Sequence, residues 1–212
     1  VKTVTVSGGS PKTLIPLLRD LGMKIIVVVP TVSVAKGAEA LGADAIVAEG
    51  AESGGVQGYY GVSTLVLVPA VIDAVKVPVI AAGGIGDSRG YKAALALGAE
   101  GVQVGTRFIA TKECIAHPLY KKGVVESGDT GTGLVDMGRF RIRALQTKLA
   151  VEMIKGEKTP DNIFTPKAMD AAWVKGDLEA GLLPAGQVAG LISTVLSVKE
   201  VIEEMIEENQ IP

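Results

Sequence analysis

Three times in its first hundred residues the chain repeats one punctuation mark. Leu21-Gly22, Leu41-Gly42 and Leu97-Gly98 each end a helix-like stretch, and a Val/Ile-rich run begins within a few residues. Glycine just past a helix end adopts the left-handed conformation without a Cβ penalty, so the chain turns back sharply. Repeated turns of this kind alternate helix with strand. Strands are predicted at Lys2–Ser7, Lys24–Val29, Asp44–Ala48, Val77–Ala82 and Gly101–Val104. Helices are predicted at Lys12–Leu21, Val34–Leu41, Leu65–Val75, Gly90–Leu97 and from Thr111 onward. The strand starts lie roughly 20 to 33 residues apart, the length of a βα unit.

Repeated βα units with near-continuous apolar strands build either an open doubly wound sheet or a (β/α)8 barrel. Five units do not close an eight-stranded barrel but equal its last five, with about 75–100 residues in front at ordinary unit size. The chain starts at Val1, directly before a strand-like run, and the expectation is that an N-terminal part of the barrel lies outside it. From about Thr130 the texture changes. Charge-rich stretches at Arg139–Gly156, Pro166–Gly176 and Val198–Glu208 are predicted helical, with breaks at Thr159-Pro160 and Thr165-Pro166. The expected organisation is therefore α/β: residues 1–129 as the C-terminal part of a (β/α)8 TIM barrel, and residues 130–212 as a helical lid or subdomain with terminal helices. The acidic end, Glu203-Glu204 and Glu207-Glu208, reads as a solvated helix face.

Composition removes several classes of function. A net charge of −2 without a basic block argues against general nucleic-acid binding. The apolar runs Ile25–Pro30 and Leu65–Ile72 are far shorter than the 18 or more residues of a membrane span, and no export leader is visible. One cysteine, Cys114, and one histidine, His117, leave no disulfide framework and no metal site built on these residues, which fits a reducing cytoplasm.

Glycine is the exception, with 27 of the 212 residues, and it clusters where strands end. Gly83-Gly84-Ile85 leaves the fourth predicted strand and Gly105-Thr106-Arg107 the fifth. In a (β/α)8 barrel these are strands seven and eight, whose loops often bind phosphate. Glycine lets backbone N–H groups reach phosphate oxygens, the next helix offers its positive end, and Thr106 adds a hydroxyl. Gly84-Ile85-Gly86-Asp87-Ser88-Arg89-Gly90 approximates a dinucleotide fingerprint, but its last glycine is one position late and no ribose-binding acid ends the next strand, so that reading is rejected. The stretch from Glu49 to Gly58 follows the third strand and places polar side chains among glycines, as a barrel's catalytic rim requires. Ser7-Gly8-Gly9-Ser10, after the first strand, fits the same rim.

These residues also carry a family resemblance. Gly42–Gly50 with Glu52-Ser53-Gly54-Gly55, Pro78–Ile85, Ala96–Phe108 and Glu113-Cys114-Ile115-Ala116-His117-Pro118 resemble the nitronate monooxygenase family, formerly called 2-nitropropane dioxygenases, which includes the flavin-dependent enoyl-acyl-carrier-protein reductase II. The likeness resumes at Gly176–Gly181 and Ala185–Ile192. It implies a (β/α)8 barrel that holds FMN non-covalently, lidded by a helical domain. By resemblance Gly83, Gly84, Gly105 and Thr106 would hold the FMN phosphate, Gly54 and Gly55 would lie near the flavin, and Gln187 near the ring or substrate. A small-molecule substrate is expected, with NAD(P)H as electron donor in the reductase branch. Where the family places a catalytic histidine after the glycine pair, this chain has Val56, which cannot move a proton.

No replacement for that histidine is evident. Tyr59 and Tyr60 are nearby but make poor bases, with an ordinary pKa of about 10. His117 sits before Pro118, where a structural or helix-starting role is expected. Cys114, three residues before it, would share its face on a helix, but no third group orients the pair. Met169 and Trp173 read as core. Two oxidoreductase readings follow: alkyl nitronate oxidation by oxygen, and enoyl-thioester reduction by NAD(P)H. An inosinate-dehydrogenase-like barrel fits the phosphate turns but lacks that family's reactive cysteine in 49–58. A flavoprotein with altered or lost catalysis, or one part of a split barrel completed by a partner chain, is the remaining class. A homo-oligomer is compatible with every one of these readings.

Overall fold

Each of the three leucine–glycine pairs closes its helix in the same way. Gly22, Gly42 and Gly98 have φ of 68°, 96° and 97°. Their N–H groups donate to Arg19, Glu39 and Leu95, while Met23, Ala43 and Ala99 reach back to Leu18, Ala38 and Ala94 at 3.0–3.1 Å. This paired closure satisfies the last carbonyls of each helix and aims the chain into the next strand. The computed structural model describes residues 1–9, 11–159 and 162–207. Ser10, Pro160 and Glu208, named in the expectations above, lie outside the described residues.

The first half of the chain runs β1 (Thr3–Val6), α1 (Leu14–Asp20), β2 (Lys24–Val29), α2 (Val32–Ala40), β3 (Ala45–Glu49), β4 (Gly55–Gln57), α3 (Thr64–Ile72), β5 (Val79–Ala82), α4 (Ser88–Ala96) and β6 (Gly101–Gln103). All five strands predicted from sequence are present, within a few residues of their expected ends. They form one parallel sheet in the order β1-β2-β3-β5-β6. Each new strand is laid beside the previous one and the order never reverses. A doubly wound sheet reverses at a switch point, whereas barrel winding does not. The first compact unit, Val1–Ala51 with Tyr60–Ile85 and Arg89–Gln103, contains this sheet. Ile25, Val27 and Val29 of β2 are buried, as are Ile46, Val47 and Ala48 of β3, and so are Ile15, Ala35, Ala38, Leu67, Val68 and Val71 on the helices. Among the described residues β1 and β6 each have one strand neighbour.

The second unit comprises Glu52–Tyr59, Gly86–Ser88 and Val104–Pro212. After β6 come α5 (Thr106–Ile109), α6 (Pro118–Val125), β7 (Thr132–Asp136), β8 (Arg141–Leu145), α7 (Lys148–Ile154), α8 (Pro166–Met169) continued by a π turn at Asp170–Val174, a 3-10 turn at Gln187–Leu191, and α9 (Val198–Ile206). Two expectations are corrected here. Arg139–Gly156 is not one helix, because Arg141–Leu145 is a strand. Its alternation is the reason: Ile142 and Ala144 are fully buried while Arg141 and Arg143 point to the other face. β8 is the centre of an antiparallel sheet, β4-β8-β7, so the tail expected to be helical contains a sheet. Nor does a helix begin at Thr111. That residue forms an isolated parallel bridge with Leu196, and α6 starts only at Pro118, whose fixed φ suits a first helical position. Cys114 therefore lies outside any helix, and the shared face that a helix would give it with His117 does not form.

Two apolar clusters stand out among the described residues of this unit. Val135, Ile142, Ala144, Leu149, Ala150, Met153, Ile163 and Leu182 form one. The other gathers Tyr120, Val124, Leu145, Leu183, Ala185, Val188 and Ile192, with Trp173 packed against it, so the core reading of Trp173 holds. No helix among the described residues is long and apolar enough to cross a membrane.

Candidate functional site

Three backbone segments of the second unit meet with almost no space between them. A Cβ on Gly54 would stand 2.6 Å from the Ala185 carbonyl carbon and from the Gly186 nitrogen. One on Gly186 would stand 2.6 Å from the Glu52 oxygen. Glycine is required at both crossings because any side chain would displace backbone. The Gln187 N–H donates to the Glu52 carbonyl at 2.8 Å, and the Gly186 N–H donates to the Thr106 hydroxyl at 2.9 Å in a buried bond. Gly54, Thr106 and Gln187, singled out separately in the sequence, are thus brought together. Gly105 follows β6 and precedes Thr106, and the space a Cβ would occupy there has no protein atom within 4 Å.

Around this junction sit polar groups to which the sequence assigned no individual role: Gln57 and Arg107 lie in stretches it singled out, Tyr120 and Arg143 outside the candidate residues. Gln57 is buried, and its Nε2 donates to Ser53 through both the carbonyl, at 3.0 Å, and the hydroxyl, at 2.5 Å. Tyr120, buried on α6, donates to the Pro184 carbonyl at 2.5 Å, and burial pushes its phenol far above the ordinary range, so it acts as a fixed neutral donor. Arg107 donates to the Thr194 carbonyl at 3.0 Å; burial lowers its pKa. The same cause lowers Arg143, across from Gly55 in the sheet. The available sequence signal for Arg143 was the alternation of β8.

Val56 lies on β4 opposite Ile142 and is 48% exposed. Tyr59, considered as a substitute proton carrier, donates its hydroxyl to Asp136 at 3.3 Å and lies under the Arg141 guanidinium, 5.0 Å from ring centroid to Cζ. Partial desolvation and the Asp136 carboxylate push its pKa upward, away from that of a base at neutral pH. Tyr60 is 81% exposed. His117 caps α6: its Nδ1 accepts from the Leu119 N–H at 3.2 Å, and its backbone N–H donates to the Trp173 carbonyl. The helix-starting role expected from His117-Pro118 is the one observed.

Gly83 and Gly84 belong to the first unit, at the C-terminal end of β5, with φ of 96° and 76°. β5 and β6 run parallel in register, Ala82 opposite Gln103, so both strands end at the same edge of the sheet. The turn expected after each is present.

The nitronate monooxygenase family model matches residues 1–208, and the chain belongs to that family. It is 32% identical to the (3aS,4S,5R,7aS)-5-hydroxy-7a-methyl-1-oxo-octahydro-1H-indene-4-carboxyl-CoA dehydrogenase of Mycobacterium tuberculosis, over 97% of this chain and 70% of that protein. A probable nitronate monooxygenase of Staphylococcus aureus is 35% identical over 86% of this chain and 56% of its own length. Among solved structures, FabK from Thermotoga maritima superposes with a TM-score of 0.88 at 42% identity, covering 97% of this chain and 67% of FabK. The chain thus spans 56 to 70% of these proteins. The fold is that of the family's (β/α)8 barrel, of which the five βα units here are consecutive members.

Proposed function

We propose that this chain is part of an FMN-dependent oxidoreductase that oxidises alkyl nitronates with oxygen. The observation that carries this reading is the pair of consecutive left-handed glycines, Gly83 and Gly84, that ends a barrel strand in the first unit. Such backbone suits an anionic phosphate, which needs amides that can be approached without a side chain in the way. Gly83 and Gly84, and independently Gly105 and Thr106, are assigned to the phosphate of FMN. Gly54 and Gly55 are assigned to its ring side and Gln187 to ring or substrate. The chemistry that FMN supplies when bound is redox, with electrons leaving the nitronate and reaching oxygen.

The chain's own side chains then position, orient and exclude water. Val56 holds no proton and Tyr59 is engaged with Asp136, so neither abstracts a proton from a neutral nitroalkane. The fitting substrate is one that arrives already deprotonated, as the nitronate.

A second reading is favoured by a specific observation: FabK, at 42% identity, and a CoA-thioester dehydrogenase stand among the relatives. On that reading NAD(P)H is the electron donor and an enoyl thioester is reduced. A third, a flavoprotein with altered or lost catalysis, is motivated by Val56 alone. Residues 130–212, which supply β7 and β8 of the antiparallel sheet, are assigned to the lid. The edge strand β1, and Leu14, Leu17 and Leu21 exposed on and just after α1, suit further βα units that complete the barrel, from the same polypeptide or a partner chain.

Purified protein separates the readings. The visible absorption spectrum, taken with the intact mass, reports bound flavin and the length of the polypeptide. Oxygen uptake driven by an alkyl nitronate without NADH supports the first reading. NADH consumption that requires an enoyl thioester supports the second. Bound FMN with neither turnover supports the third, and absence of flavin overturns all three.

A further inference from the structure

We infer that Thr64 is a positioning residue that aims the amides of Gly83 and Gly84 at the phosphate of the flavin; this rests on the functional reading above. Thr64 opens α3 and is buried. Its Oγ1 lies 3.0 Å from the Gly83 carbonyl oxygen and 3.3 Å from that of Ala82, so one hydroxyl proton serves two successive carbonyls. The Ala82 carbonyl also accepts from the Gly50 N–H at 2.9 Å. Gly50 lets α3 start this close: a Cβ there would stand 2.3 Å from the Thr64 nitrogen.

The consequence follows from peptide geometry. In a planar trans peptide the C=O and the N–H of the next residue point in opposite directions, and no peptide among the described residues is cis. Holding the Ala82 oxygen toward Gly50 and Thr64 sends the Gly83 N–H the other way. Holding the Gly83 oxygen toward Thr64 does the same to the Gly84 N–H. Two consecutive amides are thereby turned away from α3 and from β3. Successive amides presented together form an anion-binding concavity, and a glycine pair at positive φ allows the bend. The hydroxyl acts on the ligand only through these peptide planes.

The test compares Thr64→Val, which keeps the shape and removes the hydroxyl, with Thr64→Ser, which keeps the hydroxyl. Affinity for FMN and for riboflavin, which lacks the phosphate, is read on the flavin-stripped protein by fluorescence. Thr64→Val lowers FMN affinity about tenfold while riboflavin affinity stays within about twofold, and Thr64→Ser retains most of the FMN affinity. An unchanged FMN-to-riboflavin preference in Thr64→Val overturns the inference, as does a parallel loss for both ligands. Wild-type protein that binds neither flavin overturns the functional reading itself and this inference with it.

Discussion

The buried bond from the Gly186 N–H to the Thr106 hydroxyl pins the 184–187 segment onto the first residue of α5, and Thr106→Val removes its acceptor. The residue is 8% exposed, so water does not readily replace the lost oxygen. Leaving a buried donor unpaired costs about 1–3 kcal/mol. In a domain of this size that corresponds to a fall in Tm of about 2–12 °C, at roughly 2–4 °C per kcal/mol. Unfolding alone does not isolate the bond, because valine also changes packing. Amide hydrogen exchange at Gly186 does, since the same free energy raises its exchange about 5- to 150-fold. Thr106→Ser keeps the acceptor and sacrifices one methyl group, so it lowers stability but leaves Gly186 protected. Wild-type protection at Gly186 in the valine variant, or equally fast exchange in both variants, would refute the assignment of this bond as the pin.

Gly105→Val introduces a side chain into space free of protein atoms, so the chain folds with near-normal Tm while flavin content, read by absorbance, falls sharply; full flavin occupancy counts against the phosphate assignment. Val56→His places an imidazole at a half-exposed position of β4 and raises oxygen uptake with alkyl nitronates, by up to about 10²-fold if proton transfer is the missing element; unchanged turnover shows that the surrounding geometry, or the chemistry, differs. At the start of α9, the Ser197 hydroxyl and N–H and the Lys112 ammonium hold the Glu200 carboxylate at about 2, from an ordinary 4.5. Because its folded-state pKa is depressed, its contribution is complete above about 4.5 and is lost as pH falls toward about 2. An NMR titration of the Glu200 carboxyl, with a midpoint at the ordinary value, would contradict this capping arrangement.

Local chemistry was readable wherever the signal and its cause lie within one turn of chain. The leucine–glycine pairs predicted reversals that the structure builds with left-handed glycines, and His117-Pro118 marked the start of α6. The parallel sheet followed from repeated βα units, because a parallel neighbour needs a crossover and the helix supplies it, whereas the order β1-β2-β3-β5-β6 that separates barrel winding from a doubly wound sheet is read from the strand pairing. In contrast, β8 was read as helix: its charge-rich stretch suggested a helical lid or subdomain, and its alternation gains meaning only once β4 and β7 flank it. Gly54 and Gly55 stood out as a glycine pair without revealing that Gly54 lets one backbone cross another. Thr106 was read as a donor to phosphate, and its partnership with Gly186 joins residues 80 positions apart.

The amino-acid order by itself thus determined the alternation of helix and strand, the positions of the sharp reversals and the family to which the chain belongs, because left-handed turns, caps and apolar periodicity act over a few residues. Tertiary structure alone decided that the Thr64 hydroxyl meets the Ala82 and Gly83 carbonyls, that Tyr59 is tied to Asp136 and that three distant backbone segments share one junction. Those are contacts between side chains and backbone far apart in sequence, where sterics and hydrogen-bond satisfaction act on atoms that only folding brings within reach.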